Sequence, residues 1–192
     1  SWQFNLGWLY VPFAMIVIAG ASNGVNLSDG LDGLASGLLS FALTVFMTAA
    51  YLAGTAAAVS SVIAIPAATE AAVMCAALVG ACVGFLWFNA KPASVFMGDT
   101  GSLALGAFLG VVAVMLKQEI LLAVAGGMFV LESVSVMIQV GWFRYTGGKR
   151  FFKMAPIHHH FEQLGWPETK VVFRFWILGL ILGAVALMAF CF

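Results

Sequence analysis

The sequence has little charge. Only 8% of its 192 residues are charged, 63% are hydrophobic, and the formal net charge is zero. A soluble domain of this size needs more charge to stay in solution, so a soluble globular domain is excluded. Because the chain has no basic surplus, we also expect no nucleic acid among its partners.

Cysteines and signal-peptide features are scarce as well. Cys75, Cys82 and Cys191 lie inside apolar runs without metal-ligand spacing. They are therefore interpreted as small buried hydrophobic residues rather than as a metal centre. Residues 1–4 contain no basic region and no cleavage site, so we expect no signal peptide and a chain that begins within a longer protein.

Long apolar runs dominate the chain, and its mean hydropathy is +1.06. Several runs reach the roughly 20 residues that a helix needs to cross a bilayer. The sequence therefore predicts an all-α, polytopic helical membrane protein with a single transmembrane domain over residues 1–192. The predicted spans are residues 6–21, 34–53, 71–88, 102–116, 120–143 and 175–192. The apolar segment 54–65 is short for a span and is interpreted as a surface or re-entrant connection.

Three polar loops, residues 22–33, 89–101 and 144–174, are separated from one another by two predicted spans each time. They therefore face the same side of the membrane, unless segment 54–65 also crosses. Of the eight lysines and arginines, only Lys117 lies on the other side, and the positive-inside rule makes the loop side cytoplasmic. The same loops hold every aspartate and histidine of the chain, which indicates a site.

The stretch around Asp99, VFMGDTGS over residues 95–102, places an acid beside a predicted helix start. Free N–H groups at a helix start bind anions, and a carboxylate binds a divalent cation. The stretch therefore suits a phosphate held together with a metal ion. The competing interpretation is that Asp99 only caps the helix.

The other two loops carry their own polar groups. Asp29 and Asp32 lie three residues apart, with Asn26 and two glycines beside them. A helix N-terminus explains either acid but explains the whole group less well. The run His158–His160 is too compact for three ligands on one metal, whereas imidazoles bind phosphate oxygens or move protons. The basic, aromatic residues 149–154 also fit an interfacial helix on anionic headgroups.

Glu132 lies well within the fifth predicted span, on the same helix face as Gln139 seven residues later. A carboxylate within a membrane is costly and usually faces the bundle interior. A structural hydrogen-bonding role and a functional role both stay open for Glu132. Gln139 is nearer the cytoplasmic end and is placed to reach a site there.

Three stretches carry a specific resemblance: NLSDGLDGL at 26–34, FNAKPASVFMGDTGSL at 88–103 and MAPIHHHFE at 154–162. They resemble the phospho-N-acetylmuramoyl-pentapeptide-transferases, bacterial enzymes of peptidoglycan synthesis. The first two stretches are shared with the wider polyprenyl-phosphate sugar-phosphate transferases. The resemblance implies transfer of phospho-N-acetylmuramoyl-pentapeptide from its UDP-linked donor to undecaprenyl phosphate in the bacterial inner membrane. The products would be lipid I and UMP.

The resemblance also implies residue roles. Asp99 would bind Mg²⁺ and would form the catalytic set together with Asp29 and His158. Phe96 would stack on the uracil, and residues 149–153 would help to hold the lipid phosphate. The residues implied to bind substrate are Asn26, Asp29, Gly30, Leu31, Asp32, Asn89, Phe96, Gln139, Ala155, His158 and His159. A homodimer is left open.

The family fold has ten transmembrane helices, and this chain resembles the last six. The remaining half would carry an Asp-Asp motif and lysines of the active site, so residues 1–192 alone are expected to form an incomplete site. Two alternatives are kept: a related polyprenyl-phosphate N-acetylhexosamine-1-phosphate transferase, and a membrane transporter with Glu132 as its coupling group. Release of UMP separates a transferase from a transporter, and donor choice separates the two transferases.

Overall fold

The computed structural model describes residues 6–55, 65 and 68–191, and helices account for most of them. A short 3-10 turn, Gly7–Leu9, leads into the first α-helix. The α-helices are α1 (Tyr10–Ser28), α2 (Leu34–Gly54), α3 (Ala68–Asn89), α4 (Gly98–Met115), α5 (Glu119–Ala125), α6 (Gly127–Tyr145), α7 (Ile157–Glu162) and α8 (Glu168–Cys191). Among the described residues there is no strand.

Five helices in the described part of the chain are long and apolar enough to cross a membrane: α1 with its leading turn, α2, α3, α4 and α8. A sixth span results if α5 and α6, which meet at an angle of 82°, are counted together. The prediction of an all-α polytopic membrane protein with about six spans is therefore confirmed.

The predicted continuous span 120–143 is wrong, because the chain bends between α5 and α6 at Gly126. A Cβ atom on Gly126 would lie 2.8 Å from the carbonyl oxygen of Leu122, and one on Gly127 would lie 2.9 Å from Leu182 Cδ1. The two glycines therefore allow a close approach that a side chain would block. Hydropathy measures how apolar a segment is and carries no information on its direction.

The helices also extend into the predicted loops 22–33, 89–101 and 144–174. Helix α1 continues to Ser28, α4 begins at Gly98, and α8 begins at Glu168. Helix α7 lies inside the last of these loops. The loop limits were predicted from the positions at which polar residues follow the apolar runs. A helix can, however, continue past the apolar part of its sequence. Several motif side chains are consequently held on helix ends.

Helix α2 is the centre of the bundle. In its most apolar stretch of 18 residues, 61% of the stretch is buried, compared with at most 33% in the other four straight spans. It packs against α3 and α8 and touches α1, α4 and α5, and Leu39, Leu43 and Phe46 on it are completely buried. Because α2 carries no charged side chain, its central position requires no buried ion pair.

The connection between α2 and α3 begins and ends at the same end of the bundle. The backbone N–H of Ile65 donates to the carbonyl oxygen of Ala53 over 3.0 Å. Residues 56–64 and 66–67, and with them most of the predicted surface or re-entrant connection, lie outside the described residues. Because its two ends meet, α2 and α3 are antiparallel, and the three polar loops lie at one end of the bundle as their spacing predicts.

Candidate active site

Side chains from all three motif loops meet at this end of the bundle. The Asn26 amide on α1 contacts Asp99 on α4, and the backbone of Gly33 contacts Asn89 at the end of α3. Gly30 lies directly against His158 of α7. The residues come from sequence positions far apart, and the antiparallel helices bring them together.

Asp99 lies exposed in the first turn of α4 and is held by a short polar network. The Nδ2 atom of Asn26 donates to Asp99 Oδ1 over 2.9 Å and approaches Ser102 Oγ at 3.0 Å. The Ser102 hydroxyl in turn donates to the carbonyl oxygen of Gly98 over 3.0 Å. This network orients one oxygen of the exposed Asp99 carboxylate.

Asp29 follows the last turn of α1 and is half-buried near Asp99. The pKa of Asp29 is raised from 3.8 to about 6: burial is the largest cause, the backbone N–H of Gly98 lowers the pKa, and the charge of Asp99 raises it. Gly98 has a φ of +65°, which favours glycine. The site thus holds two neighbouring carboxylates, one of which titrates near neutral pH.

The exposed carboxylate of Asp99 fits a magnesium ion. Mg²⁺ is usually held by one or two carboxylates together with waters and substrate phosphates, and not by a full cage of protein ligands. In the described part of the chain no three His, Cys, Asp or Glu side chains are grouped as a metal site. Asp99 could supply a hard oxygen ligand to such an ion, a phosphate would supply others, and Asp29 stands beside them.

His158 is completely buried, and its partner is Glu132 of α6. The Nδ1 atom of His158 lies 3.0 Å from Glu132 Oε2, close enough for an ion pair but not aligned for a hydrogen bond. Both side chains are at most 1% exposed. A Cβ atom on Gly30 would lie only 2.6 Å from His158 Nε2, so the ring packs directly against that glycine.

His159 is the more open of the two imidazoles. Its ring centre lies 4.1 Å from that of His158, and its Nδ1 lies 2.6 Å from Glu162 Oε2. The side chain is 28% exposed, which leaves it accessible from the site. His160 points elsewhere, because its Nδ1 accepts the backbone N–H of Lys153.

Asn89 and Asp32 are engaged in holding the loops. The Asn89 Oδ1 atom accepts the N–H of Gly33 and the hydroxyl of Ser36, and its Nδ2 donates to the carbonyl of Val95. Asp32 Oδ2 accepts the N–H of Ala93 over 3.2 Å. Asn89 is only 4% exposed, so the structure places it beneath the loop that carries Phe96.

The other predicted substrate residues lie around this centre. Phe96 is 73% exposed, as a stacking platform requires, and Leu31 is buried and offers its backbone only. Gln139 and Ala155 line a separate cavity of about 440 Å³ together with Arg144 and Arg150. Gln139 Oε1 accepts the N–H of Phe152 over 2.8 Å, which fixes the basic loop on α6.

The sequence did not single out several residues that shape the site. Lys91 forms an ion pair with Glu168, whose other carboxylate oxygen accepts the N–H of Asp32. Ser102 lies three residues after Asp99, on the same helix face, and this spacing was its only signal. No sequence signal joined Lys91 to Glu168, because their contact depends on how α3 and α8 each pack against α2.

Comparisons with known proteins agree with this geometry. Residues 1–117 match the model of glycosyl transferase family 4. The chain belongs to glycosyl transferase family 4. Within this family it is similar to the phospho-N-acetylmuramoyl-pentapeptide-transferases of Oleidesulfovibrio alaskensis, 58% identical over 187 residues, and Desulfotalea psychrophila, 57% identical over 187 residues. Each alignment covers 96% of this chain and 52% of the relative.

The similarity extends to more distant bacteria. The enzyme of the same name from Rickettsia bellii is 52% identical over 189 residues, which cover 97% of this chain and 52% of that protein. The resemblance carried by the three motifs is thereby confirmed. This family 4 chain spans about half the length of the curated relatives that it matches.

Proposed function

We propose that this chain is part of an enzyme that transfers phospho-N-acetylmuramoyl-pentapeptide from UDP-N-acetylmuramoyl-pentapeptide to undecaprenyl phosphate. An oxygen of the lipid phosphate attacks the β-phosphorus of the donor. The bond from that phosphorus to the oxygen bridging to the α-phosphate breaks, UMP leaves, and lipid I remains in the membrane. The observation that carries the proposal is the meeting of Asn26, Asp29 and Asp99 beside the histidine helix α7.

Positioning and neutralisation of charge supply most of the catalysis in phosphoryl transfer. Asn26 and Ser102 hold the Asp99 carboxylate in place, and Asp29 stands beside it. When bound at Asp99, Mg²⁺ would neutralise charge on the pyrophosphate of the donor. His159, which is open to the site, would donate to a phosphate oxygen.

Asp29 is suited to hold a proton during the reaction. Its pKa is raised to about 6, and the second pKa of a phosphate monoester is also about 6. The ideal pKa of a general base lies near the operating pH. Asp29 would therefore accept the proton that an incoming lipid phosphate still carries, and would return it to water after transfer.

The membrane supplies the acceptor, and the site lies where a lipid headgroup is found. Basic residues cluster at the motif end of the bundle, whereas Lys117 lies at the opposite end over the ring of Tyr10. We place the motif end in the cytoplasm of a bacterial inner membrane, by the positive-inside rule. Arg150 and Lys153 are exposed there and would attract an anionic headgroup.

The test is release of UMP from UDP-N-acetylmuramoyl-pentapeptide by the full-length protein in detergent with undecaprenyl phosphate. We expect UMP and lipid I in equal amounts, and loss of both after chelation of divalent cations. A matched reaction with UDP-N-acetylglucosamine identifies the donor. UMP release from that donor alone would support the related N-acetylhexosamine transferase instead.

A transporter would release no UMP from either donor. In the structure Glu132, its predicted coupling group, is paired with His158 and is thereby connected to the site at the membrane surface. This arrangement favours the transferase.

A further inference from the structure

Glu132 is a buried carboxylate in a membrane-spanning helix, and such a group is costly. It is completely buried on α6. The described residues give its carboxylate oxygens no hydrogen bond, and its one charged neighbour there is His158, at 3.0 Å. If an acid only fills space, an apolar residue of similar size can replace it without loss of stability. The buried carboxylate of Glu132 therefore points to a role, and its neighbour His158 is the group through which it would act.

The imidazole of His158 extends from Glu132 to the motif loop. Its Nδ1 faces the carboxylate, and its Nε2 lies against Gly30, where even a Cβ atom would come within 2.6 Å. Gly30 directly follows Asp29, which stands beside Asp99. One buried ring thus lies between a carboxylate inside the membrane and the turn that carries the acids of the site.

A carboxylate beside one imidazole nitrogen determines where the proton sits. Because Glu132 Oε2 lies 3.0 Å from Nδ1, the nearby negative charge favours a hydrogen on Nδ1, and Nε2 is the nitrogen presented to the Asp29–Gly30 turn. Outer carboxylates orient functional imidazoles in the same way in many metal sites. The neighbouring pair of His159 and Glu162 repeats the arrangement at the surface, with 2.6 Å between Nδ1 and Oε2.

We propose that Glu132 is a positioning residue, which acts through His158 to fix the Asp29–Gly30 turn of the active site. Its carboxylate sets the proton on His158 Nδ1 and holds the ring against Gly30. The kinetic part of this inference rests on the proposed function, whereas the pairing itself does not.

The kinetic test uses the full-length protein and the variants Glu132→Gln and His158→Asn. Glu132→Gln keeps the shape of the side chain and removes its charge. We expect kcat to fall about 10–100-fold, the usual loss when an outer partner of a functional imidazole is removed. In a background that already carries His158→Asn, Glu132→Gln should cause no further loss, because Glu132 acts only through that ring. Additive losses, or an unchanged kcat in the single variant, overturn the proposal.

Ser135→Ala is the matched control. Ser135 lies on the same helix, is 2% exposed, and its hydroxyl donates to the backbone carbonyl of Glu132 over 2.6 Å. The substitution removes a buried polar group beside Glu132 without touching its carboxylate. Wild-type kcat in this variant is expected, and a loss equal to that of Glu132→Gln would show a general packing effect and overturn the proposal.

A second measurement is made on the wild-type protein, so its result does not depend on the folding of a variant. Nitrogen-15 spectra of the imidazoles, with His158 assigned by its absence in His158→Asn or by selective labelling, report which ring nitrogen carries hydrogen. A proton on Nδ1 supports the pairing, and a bare Nδ1 overturns it. If the wild-type protein releases no UMP, the proposed function fails, while this spectrum still decides the pairing.

Discussion

Asp99 is the residue on which the proposed chemistry depends most directly. Asn26 donates to one of its oxygens, so the side chain is fixed before any ligand arrives. An asparagine at this position retains an acceptor oxygen for Asn26 but has no charge. The local network therefore survives the substitution, and the effect of charge can be measured by itself.

We expect Asp99→Asn to lower turnover at least about 100-fold, because loss of a metal-binding charge costs no less than loss of an outer partner. The measurement is UMP release at saturating Mg²⁺ by the full-length protein. Glu70→Gln is the control, since Glu70 is an exposed acid in the first turn of α3 at the opposite end of the bundle. Normal turnover by Asp99→Asn would remove Asp99 from the site.

The same variant should change the titration of Asp29. The charge of Asp99 raises the pKa of Asp29, so removing that charge favours the ionised form and lowers the pKa below about 6. Burial is the largest cause, and the pKa should therefore stay above 3.8. Infrared titration of the carboxylate band without divalent cations, with Asp29→Asn as the reference, measures this value. An unchanged or higher pKa in Asp99→Asn would contradict the contact.

Sequence reasoning found the residues of the site more readily than their partners. Asp29, Asp99 and the histidines were marked by their rarity in an apolar chain. The pairing of Glu132 with His158 was not predicted, because it requires that α7 fold back onto α6, and short helices of this kind leave no periodic signal. The sequence placed His158 with the substrate phosphates, whereas the structure shows its ring buried.

At the scale of the helices, small residues determine how closely α1 and α4 approach. A Cβ atom on Gly106 would lie 2.6 Å from the backbone oxygen of Ala21 and 2.8 Å from Ser22 Cα. Interfaces between membrane helices depend on such contacts because lipid provides no hydrophobic driving force. The same helix pair carries Asn26 and Asp99, so its spacing also sets the geometry of the site.

We expect Gly106→Ala to destabilise the protein by about 1–3 kcal/mol, the usual cost of overpacking, and to lower turnover by separating Asn26 from Asp99. Gly80→Ala is the matched control, since a Cβ on Gly80 meets nothing within 4 Å. Thermal unfolding in detergent compares the two variants. Equal stability of Gly106→Ala and Gly80→Ala would show that α1 and α4 can move apart without cost.

The number of membrane spans could be predicted from the sequence, but the break in the fifth span could not. Residues 120–143 are apolar throughout, and hydropathy therefore predicts one straight helix. The direction changes at Gly126 because two glycines allow α5 to pack on α8 beside Leu182. Only the tertiary contact distinguishes these glycines from Gly80 and Gly84, which lie in open space.

For the whole molecule, the topology is the first matter to test. Single cysteines at Ser94 and Gln163, both exposed at the motif end, should be labelled from the cytoplasm in a cysteine-free background. Cysteines at Glu70 and Lys117, exposed at the opposite end, should be labelled only from outside. The reason is the hydrogen bond between Ile65 and Ala53, which places these two residues at the same end of the bundle. Cytoplasmic labelling at Glu70 would refute this topology.

The last prediction concerns how much of the enzyme residues 1–192 provide. The curated relatives are about twice as long as the part they share with this chain, and the described residues bring two aspartates, Asp29 and Asp99, close together at the site. Transfer between two phosphates needs more positive and metal-binding groups than that, and members of one catalytic unit act together rather than additively. We expect residues 1–192 to insert into a membrane and to produce no lipid I alone.

The experiment expresses residues 1–192 alone, and then together with the N-terminal half of the Oleidesulfovibrio alaskensis relative as a separate chain. Lipid I should form only in the second case, and Asp99→Asn in residues 1–192 should abolish it there, which shows that the site belongs to both parts. Membrane insertion of the isolated chain, checked by the cysteine labels, excludes simple misfolding as the cause of inactivity. Turnover by residues 1–192 alone at the rate of the full-length relative would show that the three loops are sufficient. In that case a Mg²⁺ ion held at Asp99, together with the histidines and basic residues of this chain, would have to neutralise and position both phosphates.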